Sequence, residues 1–148
     1  MYILINVLII LGTFLFMEGV AWFTHKYIMH GFLWVWHKSH HSVHGHVLEL
    51  NDLFALVFSV PSFLLIYLTT NEGGYSYLTS VGFGILGYGL FYFIFHDIIV
   101  HRRVKIKFKA NSTYLKRIIN AHYVHHEKHS KKGGEAFGFL YAPKKYQR

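Results

Sequence analysis

The stretches WHKSHHSVH (36–44) and AHYVHHEKH (121–129) share the spacing H-x-x-H-H-x-x-H. Imidazoles repeated at fixed spacing point first to metal ligation, since a neutral ring nitrogen binds iron, zinc, copper or nickel. Ten of the thirteen histidines fall into four groups. His25 and His30 form H-x4-H; His37, His40 and His41 form H-x2-H-H; His96 and His101 form a second H-x4-H; His122, His125 and His126 form a second H-x2-H-H. Each half of the chain thus supplies the same two motifs, a weak internal repeat of two half-sites. At about 100° per residue, positions i, i+3 and i+4 share one helix face, so each H-x2-H-H predicts three imidazoles pointing one way. Positions i and i+5 diverge by about 140° on a regular helix. Either the two members of each H-x4-H serve different ions, or the helix ends or distorts between them; Gly31 after His30 makes an ending reasonable. Ten ring nitrogens exceed the needs of one ion and suit two. Scattered surface histidines or a pH-sensitive patch account poorly for four spaced groups.

The elements that position these groups are apolar. Just over half the residues are hydrophobic and only 15% are charged, against about 25% in an ordinary soluble domain. Three spans are long and apolar enough to cross a bilayer, at about 1–24, 53–70 and 77–95. Pro61 should bend the second. The first lacks the basic start and small-x-small site of a cleaved signal peptide. The expected fold is all-α: an integral-membrane helical bundle of about three transmembrane spans with a cytoplasmic histidine-rich helical cap. A single membrane-embedded domain, 1–148, is expected, with basic, histidine-rich segments at 25–52 and 96–148.

Charge orients this bundle. All fifteen Lys and Arg lie at Lys26 and Lys38, within 102–117, or within 128–148; the turn 71–76 holds Glu72 and no base. The positive-inside rule then puts the amino terminus outside and the carboxyl terminus and all the histidines on the cytoplasmic side. The net charge of +8 reads as membrane orientation and attraction to anionic lipid headgroups, with no call for nucleic acid. KIKFK (105–109) alternates like an interfacial segment, and a basic face also suits an acidic electron carrier. A metal transporter would place ligands at mid-membrane, not at one edge. A redox metal at the edge of an apolar pocket instead suits O2-dependent oxidation of a lipid-like substrate.

Several stretches carry a family resemblance: MEGVAWFTHKYIMHGFLWVWHKSHH, ELNDLFALVFSV, LFYFIFHDIIVHRR, YLKRIINAHYVHH and FGFLYAP. Together they resemble the bacterial β-carotene 3-hydroxylases of the fatty acid hydroxylase/sterol desaturase superfamily, in order and over most of the chain. The resemblance implies a non-haem enzyme using two iron ions, O2 and two electrons from an external donor such as ferredoxin. The substrate would be a carotenoid, β-carotene passing through β-cryptoxanthin to zeaxanthin. It implies iron ligation by His25, His30, His37, His40, His41, His96, His101, His122, His125 and His126. His44, His46 and His129 lie outside the family motif. The rival readings are a hydroxylase or desaturase of fatty acid or sterol, and a non-enzymatic metal-binding membrane protein.

Four polar residues are candidates for supporting the ligands. Glu18 is ionisable within a span and lies seven residues before His25. Asp97 follows His96, while Asn51 and Asp52 open the second span and could instead cap it. GFGILG (82–87) matches G-x-G-x-x-G but has no strand before it, so it reads as small residues for close helix packing. With no cysteine and no nucleotide motif, electrons must come from a separate protein. Phe32, Trp34, Trp36, Tyr88, Tyr92 and Phe95 could line a carotenoid path, but aromatics near an interface are commonly belt or packing residues; no substrate-binding residue is assigned.

Overall fold

The computed structural model describes residues 1–42, 48–71 and 74–147. His44 and His46 lie outside the described residues. The described chain is helical with no strand. Helix α1 (Tyr2–Phe23) runs directly into a wide π-helical segment, Thr24–Phe32. A short α2 (Trp34–His37) and a 3₁₀ turn (Lys38–His41) follow. Helix α3 (Leu53–Asn71) continues through Pro61. Helix α4 (Tyr77–Tyr92) passes into a second π segment, Phe93–Val100. Helix α5 (Thr113–His126) ends the regular structure apart from a 3₁₀ turn at Lys144–Tyr146.

Three helical stretches are long and apolar enough to cross a membrane: Tyr2–Phe32, Leu50–Asn71 and Tyr77–Val100. The first and third extend beyond the expected 1–24 and 77–95, because the π segments prolong them. His25, His30 and His96 therefore sit on the membrane helices themselves. Leu4, Leu8, Leu11 and Leu15 of α1, and Val60, Phe63 and Leu64 of α3, are exposed. Such a surface is stable against lipid tails, where the helical backbone bonds to itself.

Helix α4 is the middle of the bundle, packed against both α1 and α3. Two glycines make this possible. A Cβ on Gly84 would lie 2.5 Å from Thr13 Cβ, and one on Gly82 would lie 2.7 Å from Ile66 Cγ1. The small residues of GFGILG are thus contact points on opposite neighbours. Gly84→Leu should lower the yield of folded protein in detergent severely, whereas leucine at Gly89, where a Cβ meets nothing within 4 Å, should be tolerated; size-exclusion profiles of the two variants check this.

Polar contacts tie the end of the bundle far from the π segments. Ser80 Oγ donates to Asn6 Oδ1 at 2.7 Å, and the Tyr2 hydroxyl donates to the carbonyl of Tyr75. Ser76 caps α4, and Ser112 caps α5. A 3₁₀ turn, Leu50–Asp52, leads into α3, and it is this turn that is capped. Glu49 is the capping residue, and its backbone N–H donates to Asp52 Oδ2 at 2.9 Å.

Candidate metal centre

The first H-x4-H motif lies in the first π segment, and the second runs from His96 in the second π segment to His101, which caps it. In a π-helix the hydrogen bond spans i to i+5, and the wider turn returns residue i+5 towards the face of residue i. The bond from His101 N–H to the His96 carbonyl, at 2.9 Å, closes one such turn. The distortion that the spacing left open is therefore the one adopted, and the chain leaves helical geometry at Gly31, just after His30. Both members of each H-x4-H pair fall in the same cluster of histidines.

The ten histidines assemble as two groups of five. His25, His30, His37, His41 and His125 form the first; His40, His96, His101, His122 and His126 form the second. Within each group the candidate ligand atoms all lie within 4.8 Å of one another. The three histidines of each H-x2-H-H divide between the two groups. His37 and His41 join the first group and His40 the second; His122 and His126 join the second and His125 the first. The chain segments bearing these triads run between the two sites, so adjacent positions on one face reach different centres. His129 is exposed and belongs to neither group.

The ring nitrogens are spaced as donors to a shared ion would be. Nε2–Nε2 separations are 3.0 Å for His25–His37, 3.1 Å for His37–His41 and 3.2 Å for His30–His125. In the second group they are 2.9 Å for His40–His96 and 3.0 Å for His101–His122. Donors about 2.1 Å from one ion and at right angles lie about 3.0 Å apart, against about 3.4 Å for a tetrahedron. His126 Nε2 is buried without a hydrogen-bond partner among the described residues, as a nitrogen kept for a metal would be. Five nitrogens per group exceed the four of a structural zinc site.

Burial favours the neutral form of the imidazoles beyond the membrane helices. It pushes His37 down to about 2 and, with neighbouring imidazoles, His41 to about 4 and His125 to about 3. Burial and the Arg103 guanidinium bring His101 to about 4. Neutral rings are the form that binds metal.

The back nitrogens are held from several directions. Asn51 Oδ1 lies 2.7 Å from His37 Nδ1, and Asp97 Oδ1 lies 3.2 Å from His96 Nδ1. Asp52 and Glu18 act one step further out. Asp52 pairs with Arg103 at 2.8 Å. Glu18 accepts from the backbone N–H groups of Phe139 and Leu140, at 2.8 and 2.9 Å, and from the Tyr88 hydroxyl at 2.7 Å. It thereby pins the segment 137–140 onto the bundle.

That segment, and residues before it, went unassigned in the sequence. The carbonyls of Phe137, Lys131 and Glu135 face His25 Nδ1, His30 Nδ1 and His125 Nδ1 at 3.0, 3.2 and 2.8 Å. Ala136, between two of these carbonyls, has φ +58°, a left-handed conformation that a non-glycine residue holds at a cost of about 1–2 kcal/mol. Glu49 and Arg103 were also unassigned: Glu49 Oε2 lies 3.1 Å from His40 Nδ1, and Arg103 bridges Glu49, Asp52 and Asp97. Glu49 carried a signal, a carboxylate within ELND just ahead of α3; Arg103 carried none.

A largely apolar cavity of about 260 Å³ lies between α1, α3 and α4. His25 and His37 of the first group and His96 of the second line its inner end, with Tyr88, Tyr92 and Phe139. Phe139 lies against imidazoles of both groups, stacked with His25 at 4° and perpendicular to His96 at 90°. Phe32, Trp34, Trp36 and Phe95 are not among the lining residues. The arrangement is an apolar chamber ending at two adjacent nitrogen-rich metal sites.

The profile of the fatty acid hydroxylase family matches residues 10–142. The chain belongs to the fatty acid hydroxylase family. Among curated members resembling it, the β-carotene hydroxylase of Pantoea ananas is 46% identical over 138 residues, 93% of this chain and 78% of that one. The β-carotene hydroxylase of Paracoccus sp. (strain PC1) is 42% identical over 137 residues, 92% of this chain and 83% of that one. The chloroplastic β-carotene 3-hydroxylase 2 of Arabidopsis thaliana is 35% identical over 152 residues, 97% of this chain and 50% of that one. No solved structure matches this member of the family significantly. Family membership makes the chain an enzyme, and the paired histidine groups make its centre a metal centre.

Proposed function

We propose that the chain is a carotenoid β-ring 3-hydroxylase, converting β-carotene through β-cryptoxanthin to zeaxanthin at a di-iron centre. The observation that carries the reading is the apolar cavity ending at both histidine groups, in a chain whose similar relatives are named β-carotene hydroxylases. The first iron would be held by His25, His30, His37, His41 and His125, and the second by His40, His96, His101, His122 and His126. Once bound, the irons would supply O2 activation, with overall balance RH + O2 + 2 e⁻ + 2 H⁺ → ROH + H2O.

The chain's own residues orient and exclude. A volume of about 260 Å³ is below the roughly 300–1,000 Å³ of pockets for whole drug-sized ligands. It therefore takes the ring end of a C40 polyene, leaving the rest along the lipid-facing side. Phe139, Tyr88 and Tyr92 form the walls that set which ring carbon faces the centre. Since the chain has no cysteine, an external donor, ferredoxin or similar, would supply the electrons.

Expression in a bacterium that accumulates β-carotene tests the activity. β-Cryptoxanthin and zeaxanthin are expected. Their absence from cells that contain iron-loaded protein overturns the reading, and hydroxylated fatty acid or sterol in their place would name a different lipid. We also place the carboxyl terminus and both histidine groups in the cytoplasm, on the distribution of Lys and Arg. Reporter fusions at the carboxyl terminus and beside Gly74 should report opposite sides; both on one side would refute three spans.

A further inference from the structure

The two groups of imidazoles are backed by different chemistry. Behind the first group stand neutral acceptors: the carbonyls of Phe137, Lys131 and Glu135 on His25, His30 and His125, and the amide oxygen of Asn51 on His37. Behind the second group stand two carboxylates, Glu49 on His40 and Asp97 on His96. Both carboxylates also meet Arg103. Its Nε lies 3.3 Å from Asp97 Oδ1, and its Nη2 lies 3.3 Å from Glu49 Oε1 as an ion pair without hydrogen-bond alignment. Asp52 shares the same guanidinium. Three carboxylates around one cation leave this side with an excess of negative charge.

A carboxylate that accepts the Nδ1 proton makes the opposite nitrogen a stronger electron donor; a neutral carbonyl does so less. We infer that the two metal positions are electronically unequal, with the ion held by His40, His96, His101, His122 and His126 the easier to oxidise. Glu49 and Asp97 are positioning residues that act through His40 and His96, and Arg103 holds the two at a common spacing. On reduction, the first electron then goes to the ion held by His25, His30, His37, His41 and His125. This inference rests on the di-iron reading.

Mössbauer spectra and a dithionite reduction titration of the ⁵⁷Fe-loaded protein test it. Two equal quadrupole doublets and two separate reduction steps are expected. Glu49→Gln or Asp97→Asn should shift one doublet and raise the lower step. Asn51→Asp, which puts a carboxylate behind His37, should shift the other doublet and lower the higher step. Two variants on the second side guard against the loss of the Glu49 cap. Coincident doublets, a single reduction step, or variants that shift both sites alike overturn the inference while two irons remain bound. Iron well below two per chain overturns the di-iron reading, and this one with it.

Discussion

Alanine in place of His125 leaves the protein in the membrane, removes one iron, and lowers hydroxylation by more than about 100-fold. Changes one shell further out cost about 10–100-fold in metal affinity or activity, and His125 is closer than that. It is fully buried, its Nε2 lies 3.2 Å from His30 Nε2, and its Nδ1 faces the Glu135 carbonyl at 2.8 Å. Although His125 sits on α5 beside His122 and His126, its group is the one built on residues 25–41. His125→Ala and His122→Ala should therefore each lose one iron, but different ones, so that the surviving Mössbauer doublets differ. If the two variants keep the same doublet, the crossing of ligands between the sites is wrong. Near-normal turnover in His125→Ala would remove it from the ligand set.

Glu18→Ala should lower stability by about 3 kcal/mol and hydroxylation by about 10–100-fold. The carboxylate accepts from two backbone N–H groups and one hydroxyl. Hydrogen bonds to a charged group are worth about 1.5–3 kcal/mol each, and three on one carboxylate are not additive. Its loss releases Phe139 from between the two groups of imidazoles and lets the Phe137 carbonyl drift from His25. Glu18→Gln keeps an oxygen for both N–H groups and an amide that can meet the Tyr88 hydroxyl, so it should retain most activity. Gly138→Ala should imitate Glu18→Ala in part, since its Cβ would lie 2.6 Å from Glu18 Oε1. Thermal unfolding in detergent and product formation read both effects. Equal behaviour of Glu18→Gln and Glu18→Ala would argue against a role through these acceptors.

Much of this was legible in the residues. Apolar length and the near absence of charge marked the three spans, because a membrane helix needs both. Gly82 and Gly84 announced close helix contacts. The four histidine groups announced a metal, and the spacing of His25 to His30 announced either two ions or a break in the ordinary helix. The crossing of His40 and His125 was not legible. Which of two ions a side chain meets depends on how α2 and α5 dock, and i, i+3, i+4 geometry carries no information on docking. Nor were the supports of His25, His30 and His125 legible. They are backbone carbonyls, which every residue possesses, so Lys131, Glu135 and Phe137 contribute nothing distinctive through their side chains. Asn51 and Asp97 were visible as neighbours of ligands or spans. Glu49 and Arg103 became meaningful only once α3 and the segment after His101 came together.

The π segments have a consequence for how this chain can vary. Between His25 and His30, and between His96 and His101, the number of residues matters as well as their kind. Among the intervening side chains, Tyr27 is exposed and open to exchange, whereas Met29, Asp97 and Val100 are buried and Asp97 faces His96 Nδ1. Deleting one residue would turn H-x4-H into H-x3-H, whose two histidines share a face only on an ordinary α-helix. Spacing and helix type in these two stretches are therefore tied together: four intervening residues go with a π turn, and a change in one calls for a change in the other.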